Sequence, residues 1–470
     1  MRNRIFSDDP DSIGTRRRNS LNSKGSSLDI HTKIRSAQNY IGRIKLYPTK
    51  KQRSLERKDD RTDRRNSVIR IIILFGIVSL FGDMLYEGAR SANGQYLELL
   101  GVSATLLGLV YGIGEFLGYA LRLISGYLSD KTGRHWLFIF FGYATLIVVP
   151  IMGLTTNWQI IIILILLERV GKGLRGPPKD TVLSRAAEQG GTGLGRAFGI
   201  QEAIDQLGAF SGPLIFSLAF FLSGQEGIEG YQLGYLSLFI AFILLLAALS
   251  LVFKNYKRGN FDIDVITEEN KKEKLTRHFW MFTLFASLTV MGLVNFSLIG
   301  YYLKAENILP DQAIVLLYSL AMIVDAAVAL LIGNLYDSLK KRSGSKSGGI
   351  IVLAFVPIIT LMIPFFGFSG TVIGAVIGMV LFGTVMGAHE TVVRSSIADL
   401  TSFHKRGTAY GVFFTAYGIS FLIGSTMMGS IYDNFGTVYI GIAVATVEIL
   451  SLMVFMWMRS DIRRNITSAS

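Results

Sequence analysis

The chain has 470 residues, half of them hydrophobic and 17% charged, and its apolar runs repeatedly approach the ~20 residues that cross a bilayer. That balance excludes an ordinary soluble domain, and the lack of any cysteine excludes disulfides, thiolate metal sites and cysteine nucleophiles. The formal charge of +13 resembles a nucleic-acid signal, but residues 1–67 hold 18 of the 47 Lys and Arg against 8 of the 34 Asp and Glu. The basicity therefore belongs to a tail, and no nucleic-acid partner is expected.

In chain order, residues 1–67 are polar without a sustained apolar period and read as a disordered basic flank drawn to anionic lipid headgroups. The first apolar run starts near Val68, too late for a signal peptide. About twelve spans follow, centred near Val78, Tyr111, Leu146, Leu167, Gly208, Ile243, Met291, Ile323, Pro357, Met379, Tyr417 and Glu448. Lys and Arg fall in alternate loops (131–135, 185–196, 254–277, 340–346, 405–406 and the end from 459), with Lys304 the exception. This bias places both termini in the cytoplasm, in a cell membrane.

The spans form two halves. GYLSD at 126–130 returns as GNLYD at 333–337, AFG at 197–199 as AYG at 409–411, and Gly212 as Gly424. The expected organisation is a six-helix bundle over 68–254, a linker over 255–277, a second bundle over 278–458 and a short cytoplasmic end over 459–470, with a site between the bundles. The third, sixth and ninth spans carry no charge and the twelfth only Glu448, so these read as lipid-facing scaffold.

The fourth span is the anomaly. Four charges at membrane depth (Glu168, Arg169, Lys172, Arg175) cost on the order of 10 kcal/mol, while its aliphatic residues return only about 4 to 6 kcal/mol. Glu168, Lys172, Arg175 and Lys179 recur at i, i+4, i+7 and i+11, one stripe within about 60° of arc. That stripe must be wet or paired. Pro177 and Pro178 predict a bend toward the cytoplasmic end. Asp83, Glu87 and Arg90 form a similar stripe on the first span, Tyr111, Glu115 and Arg122 one on the second, and Glu202 and Asp205 sit a turn apart on the fifth. These charges are either structural ion pairs or the lining of a polar cavity with a proton path.

These residues resemble the major facilitator superfamily. GYLSDKTGRH at 126–135 is similar to its signature between the second and third spans, with Gly126, Asp130, Gly133 and Arg134, and GNLYDSLKKR at 333–342 to its degenerate copy, with Gly333 and Asp337. RVGKG at 169–173 resembles the fourth-span motif of proton-coupled members, and Gly199, Gly208, Gly212 and Pro213 resemble the start of the antiporter motif on the fifth. His135, Lys172 and the stretch 214–217 depart from those patterns, and Gly208-x-x-x-Gly212 also serves close helix packing in any bundle.

The resemblance implies an all-α, twelve-helix secondary transporter working by alternating access, not an enzyme, which exports a small organic molecule in exchange for protons. Asp130 and Arg134 would gate the cytoplasmic side. Asp83, Glu87, Glu115, Glu202 and Asp205 are the proton-coupling candidates, and Arg90, Arg122, Glu168, Arg169, Lys172, Arg175 and Arg394 the cavity candidates. His389, beside Glu390, is expected to gate or pair rather than bind metal. The alternatives are a proton-coupled symporter importing an organic anion and a non-transporting receptor built on the same fold. No cofactor or metal is expected beyond the proton as coupling ion, and the expected state is a monomer.

Overall fold

The computed structural model describes residues 50–189, 194–224, 226–258, 275–343, 348–401 and 406–467, and every regular element among them is helical. The chain divides into Met1–Asp60, described only from Lys50 onward as the opening turns of the first helix, and Arg61–Ser470, which holds everything below. In order the helices are α1 (Lys50–Leu99), α2 (Ala104–Thr132), α3 (His135–Ala144, carried to Leu154 by short 3-10 and α turns), α4 (Trp158–Gln189), α5 (Leu194–Ser223) and α6 (Ile228–Arg258). Then come α7a (Arg277–Gly292), α7b (Phe296–Ala305), α8 (Asp311–Ser343), α9 (Val356–Gly367, led in by a 3-10 stretch), α10 (Val372–Leu400), α11 (Arg406–Phe435) and α12 (Thr437–Thr467).

Eleven of the described helical segments are long and apolar enough to cross a membrane. The fourth helix falls short because of the charges singled out above, yet it packs centrally against α2 and α3. The first apolar span starts at Asn66, beside the expected Val68, while the helix that carries it begins at Lys50, because 50–67 is rich in Lys, Arg, Gln and Glu, which propagate a helix. Likewise α12 runs through the expected tail to Thr467. Of the expected basic flank, residues 1–49 lie outside the described residues, as do 259–274 of the linker.

Local chemistry sets the helix ends. Ser103 accepts from the Leu106 N–H at the start of α2, and Gly133 ends it with φ 65°, the left-handed conformation a C-terminal glycine takes at little cost. The span centred on Met291 is broken: α7a stops at Gly292, and Asn295 caps α7b by accepting from Leu298 N–H. α4 stays helical through Pro177 and Pro178.

Two buried apolar cores form, one centred on side chains such as Phe75, Tyr96, Leu146 and Tyr235, the other on Phe282, Phe285, Tyr318 and Met379. Side chains such as Phe141, Ile240, Phe365 and Trp457 stay exposed, a lipid-facing rim. Because lipid is as apolar as leucine, helices here associate through close packing at small residues. A Cβ at Gly208 would run into the Leu80 carbonyl, and one at Gly212 would stand 2.5 Å from the Met84 carbonyl, both on α1. Gly424 on α11 meets the Met291 carbonyl on α7a in the same way. The glycine repeat is thus a repeat of one helix pair.

The halves join through α2 with α11, α5 with α8, and α1 with α7b. At the end away from the Lys- and Arg-rich loops this junction is tight. A Cβ at Gly94 would overlap the Ser297 carbonyl, Asp433 accepts from Ala104 N, Thr105 N and Thr105 Oγ1 at 3.1, 2.7 and 2.6 Å, and Asp311 accepts from Gly227 N and Tyr231 OH. Toward the basic loops the halves part around a cavity.

Candidate functional site: a charged cavity between the halves

The cavity has a volume of about 710 Å³ and draws its walls from α1, α2, α4 and α5 on one side and α8, α10 and α11 on the other. Asp180 on α4, Glu202 on α5, and Glu390 and Arg394 on α10 are exposed in it, which places its mouth toward the basic face.

Ten of the twelve ionisable candidates read from the sequence line this cavity: Asp83, Glu87, Arg90, Glu115, Arg122, Lys172, Arg175, Glu202, Asp205 and Arg394. The other two are corrected. Glu168 and Arg169 lie buried behind the wall, where Arg169 Nη1 is 2.9 Å from Glu115 and its Nε 3.4 Å from Glu168. Arg169 also donates a short hydrogen bond to the Tyr86 hydroxyl. Packing explains the retreat, because Arg169 follows Glu168 round the helix, away from the Lys172 and Arg175 stripe, and meets Gly114 on α2.

From this pair a chain of polar groups crosses to the other half. Arg90 Nη2 is 3.8 Å from Glu115, its Nη1 is 3.9 Å from Glu87 and 3.1 Å from the Tyr86 hydroxyl, and Tyr318 on α8 donates to Glu87 at 2.5 Å. Three carboxylates and two guanidiniums are thereby mutually compensated in a region where a lone charge would be severely penalised.

The cations nearer the mouth are held differently. Lys172 Nζ sits 3.5 Å above the Tyr86 ring, Arg122 5.3 Å over Tyr119, and Arg175, 6% exposed, 5.1 Å over Tyr143 while donating to the Gly142 carbonyl at 3.3 Å. Lys179 donates to Ser79 at 3.1 Å. Among the described residues none of the four has a carboxylate within 4 Å, and Arg122 Nε is buried without a hydrogen-bond partner. Aromatic faces take part of the carboxylate's place.

Sequence reasoning missed Asp325, 3% exposed on α8, which lines the cavity with one carboxylate oxygen unpartnered. The signal was present, a single acid in an apolar run. It also missed the tyrosines, which no charge pattern flags. His389 points its Nδ1 at Tyr417 OH, 3.3 Å away, and both line the cavity.

The signature residues lie at the basic face. Gly126 rests against Pro177, Gly333 against Thr391, Asp337 and Arg134 are exposed, and Asp130 Oδ1 is 3.8 Å from His135 Nδ1. Gly199 is corrected as a packing residue: a Cβ there would meet nothing within 4 Å, since it faces away from α1, unlike Gly208 and Gly212. Pro213 lies within the helical course of α5.

The Major Facilitator Superfamily profile matches residues 72–424 and 280–469. The chain is 34% identical over 401 residues to an uncharacterised protein of Mycobacterium tuberculosis, covering 83% of this chain and 93% of the relative. It is 29% identical to an uncharacterised MFS-type transporter of Methanocaldococcus jannaschii, covering 80% and 91%. Solved structures with the same fold include the nucleoside transporter NupG, with a TM-score of 0.60 at 15% identity over 83% of this chain and 98% of that one. A POT family transporter in complex with 5-aminolevulinic acid has a TM-score of 0.65 at 15% identity, covering 84% and 96%. With helices that span a membrane, two packed halves and a polar cavity between them, the chain belongs to the Major Facilitator Superfamily and is an integral membrane secondary transporter rather than an enzyme.

Proposed function

We propose that this protein moves a small organic molecule by alternating access and couples that movement to protons, with export as the direction in which the cavity loads from the basic face. The observation that carries the coupling is the Tyr318 to Glu87 hydrogen bond, which joins the halves inside the network that ends at Arg169. Alternating access needs contacts between halves that break and re-form. A proton on Glu87 removes the charge that makes this hydrogen bond strong and loosens its hold on Arg90, so the proton state and the position of the halves become linked. The cavity's carboxylates and cations supply the polar surface a charged substrate needs.

The test is transport in proteoliposomes with an imposed pH gradient, screened with radiolabelled organic anions and cations. The wild type is expected to accumulate at least one of them in a gradient-dependent way, and Glu87→Gln to exchange it across the membrane without responding to the gradient. Gradient-driven accumulation by Glu87→Gln equal to wild type would remove Glu87 from the coupling. A protein that binds these compounds and never moves them would instead be the receptor. Uptake of an anion together with protons is the second reading, favoured by the four cavity cations that have no carboxylate beside them.

A further inference from the structure

The charges of the cavity are not evenly satisfied, and the imbalance points to a substrate class. On α4, Lys172, Arg175 and Lys179 recur on one face and line the cavity with Asp83 on α1 and Asp205 on α5, and among the described residues none of the three cations has a carboxylate within 4 Å. The other groups facing this cluster are already engaged or solvated: Glu87 is held by Tyr318 and Arg90, while Glu202 and Asp180 are exposed at the mouth. Arg175 is nine-tenths buried with one backbone carbonyl as its hydrogen-bond acceptor.

We infer that the Lys172, Arg175 and Lys179 face is the seat of an anionic group, a carboxylate or a phosphate, on the transported molecule. The inference rests on the proposed transport function and names the substrate class of that same cavity.

The experiment uses the purified full chain. Benzoate, succinate and glycerol 3-phosphate are titrated against tetraphenylphosphonium at matched ionic strength, read by thermal stabilisation. At least one anion is expected to raise the melting temperature, the carboxylate and phosphate arms identifying which group is taken. Lys172→Gln is expected to weaken its half-saturation by about tenfold, the scale of one charge-assisted hydrogen bond. Arg175→Lys, which keeps the charge, should restore most of what Arg175→Gln loses and guards against a folding artefact. Stabilisation by tetraphenylphosphonium alone, stabilisation by none of the four, or anion binding unchanged by Lys172→Gln would overturn the inference. Gradient-driven movement of the cation would leave the transport function standing while the anion site fell.

Discussion

Arg169 and Arg175 sit two turns apart on one helix and look alike in the sequence, yet their surroundings set opposite consequences for removing them. Arg169 holds Glu115 and Glu168 and donates to Tyr86, so Arg169→Gln leaves the buried Glu168 without its cation and Glu115 with Arg90 alone at 3.8 Å. Breaking such a network costs about 3–5 kcal/mol, and the expected outcome is a large loss of folded protein. Arg175 has no carboxylate within 4 Å, so Arg175→Gln removes a buried charge that nothing strands. It is expected to fold and reach the membrane in normal amount while losing most of its transport per molecule. Equal melting temperatures for the two variants, or a normal turnover for Arg175→Gln, would contradict the assignment. Which charges would be buried was legible from the fourth span alone, because it could not face lipid. Which of them are paired was not, because pairing depends on which residue of α1 or α2 stands opposite, and helical spacing says nothing of rotation between helices.

At the scale of elements, the repeat was legible and its broken symmetry was not. Gly82 on α1 packs against Tyr143 and Leu245 in an unbroken helix, whereas Gly292 on α7a packs against Glu448 at the point where the helix stops. Glu448, the lone charge of a span read as lipid-facing, turns inward: it is 1% exposed, and among the described residues neither carboxyl oxygen has a hydrogen-bond partner. The break at 293–295 leaves the last carbonyls of α7a without helical donors, apart from Val290, which accepts from Leu293 N–H at 3.3 Å. If Glu448 is a merely tolerated burial, Glu448→Leu, which copies Leu245, should stabilise the fold by the ~1–3 kcal/mol that an unsatisfied polar group costs, read as a higher melting temperature. The expected outcome is that gain, with Glu448→Gln near wild type. A drop for Glu448→Leu alone would show that the neutral acid donates to the freed carbonyls and holds the break in place. No proline marks this break, which is why the apolar run reads as one continuous span.

For the whole molecule, the two-half plan followed from spacing and charge, but the side on which the halves part could not, because access is a property of contacts between residues hundreds of positions apart. The carboxylate of Asp433, at the end of α11, caps the first N–H groups of α2 from the other half, with three hydrogen bonds between 2.6 and 3.1 Å. A helix N-terminus attracts a carboxylate, and losing such a cap costs roughly 0.5–2 kcal/mol. That is enough to shift an equilibrium between two access states by about two- to thirtyfold. Since the chain has no cysteine, single cysteines report access without background. The Lys and Arg bias predicts that an impermeant maleimide labels a cysteine at Ser345 only from the cytoplasm and one at Ser223 only from outside, and reversed labelling would invert the orientation. A cysteine at Met386, on the cavity wall, is then expected to react from the same side as Ser345. In the Asp433→Ala background the same cysteine should become reactive from the Ser223 side as well, at a rate several-fold above the parent, with labelling from the Ser345 side reduced. If Asp433→Ala changes neither rate, the cap is incidental and closure at that face rests on the glycine contacts of Gly94, Gly108 and Gly429 and on the hydrogen bonds that Asp311 accepts from Gly227 and Tyr231.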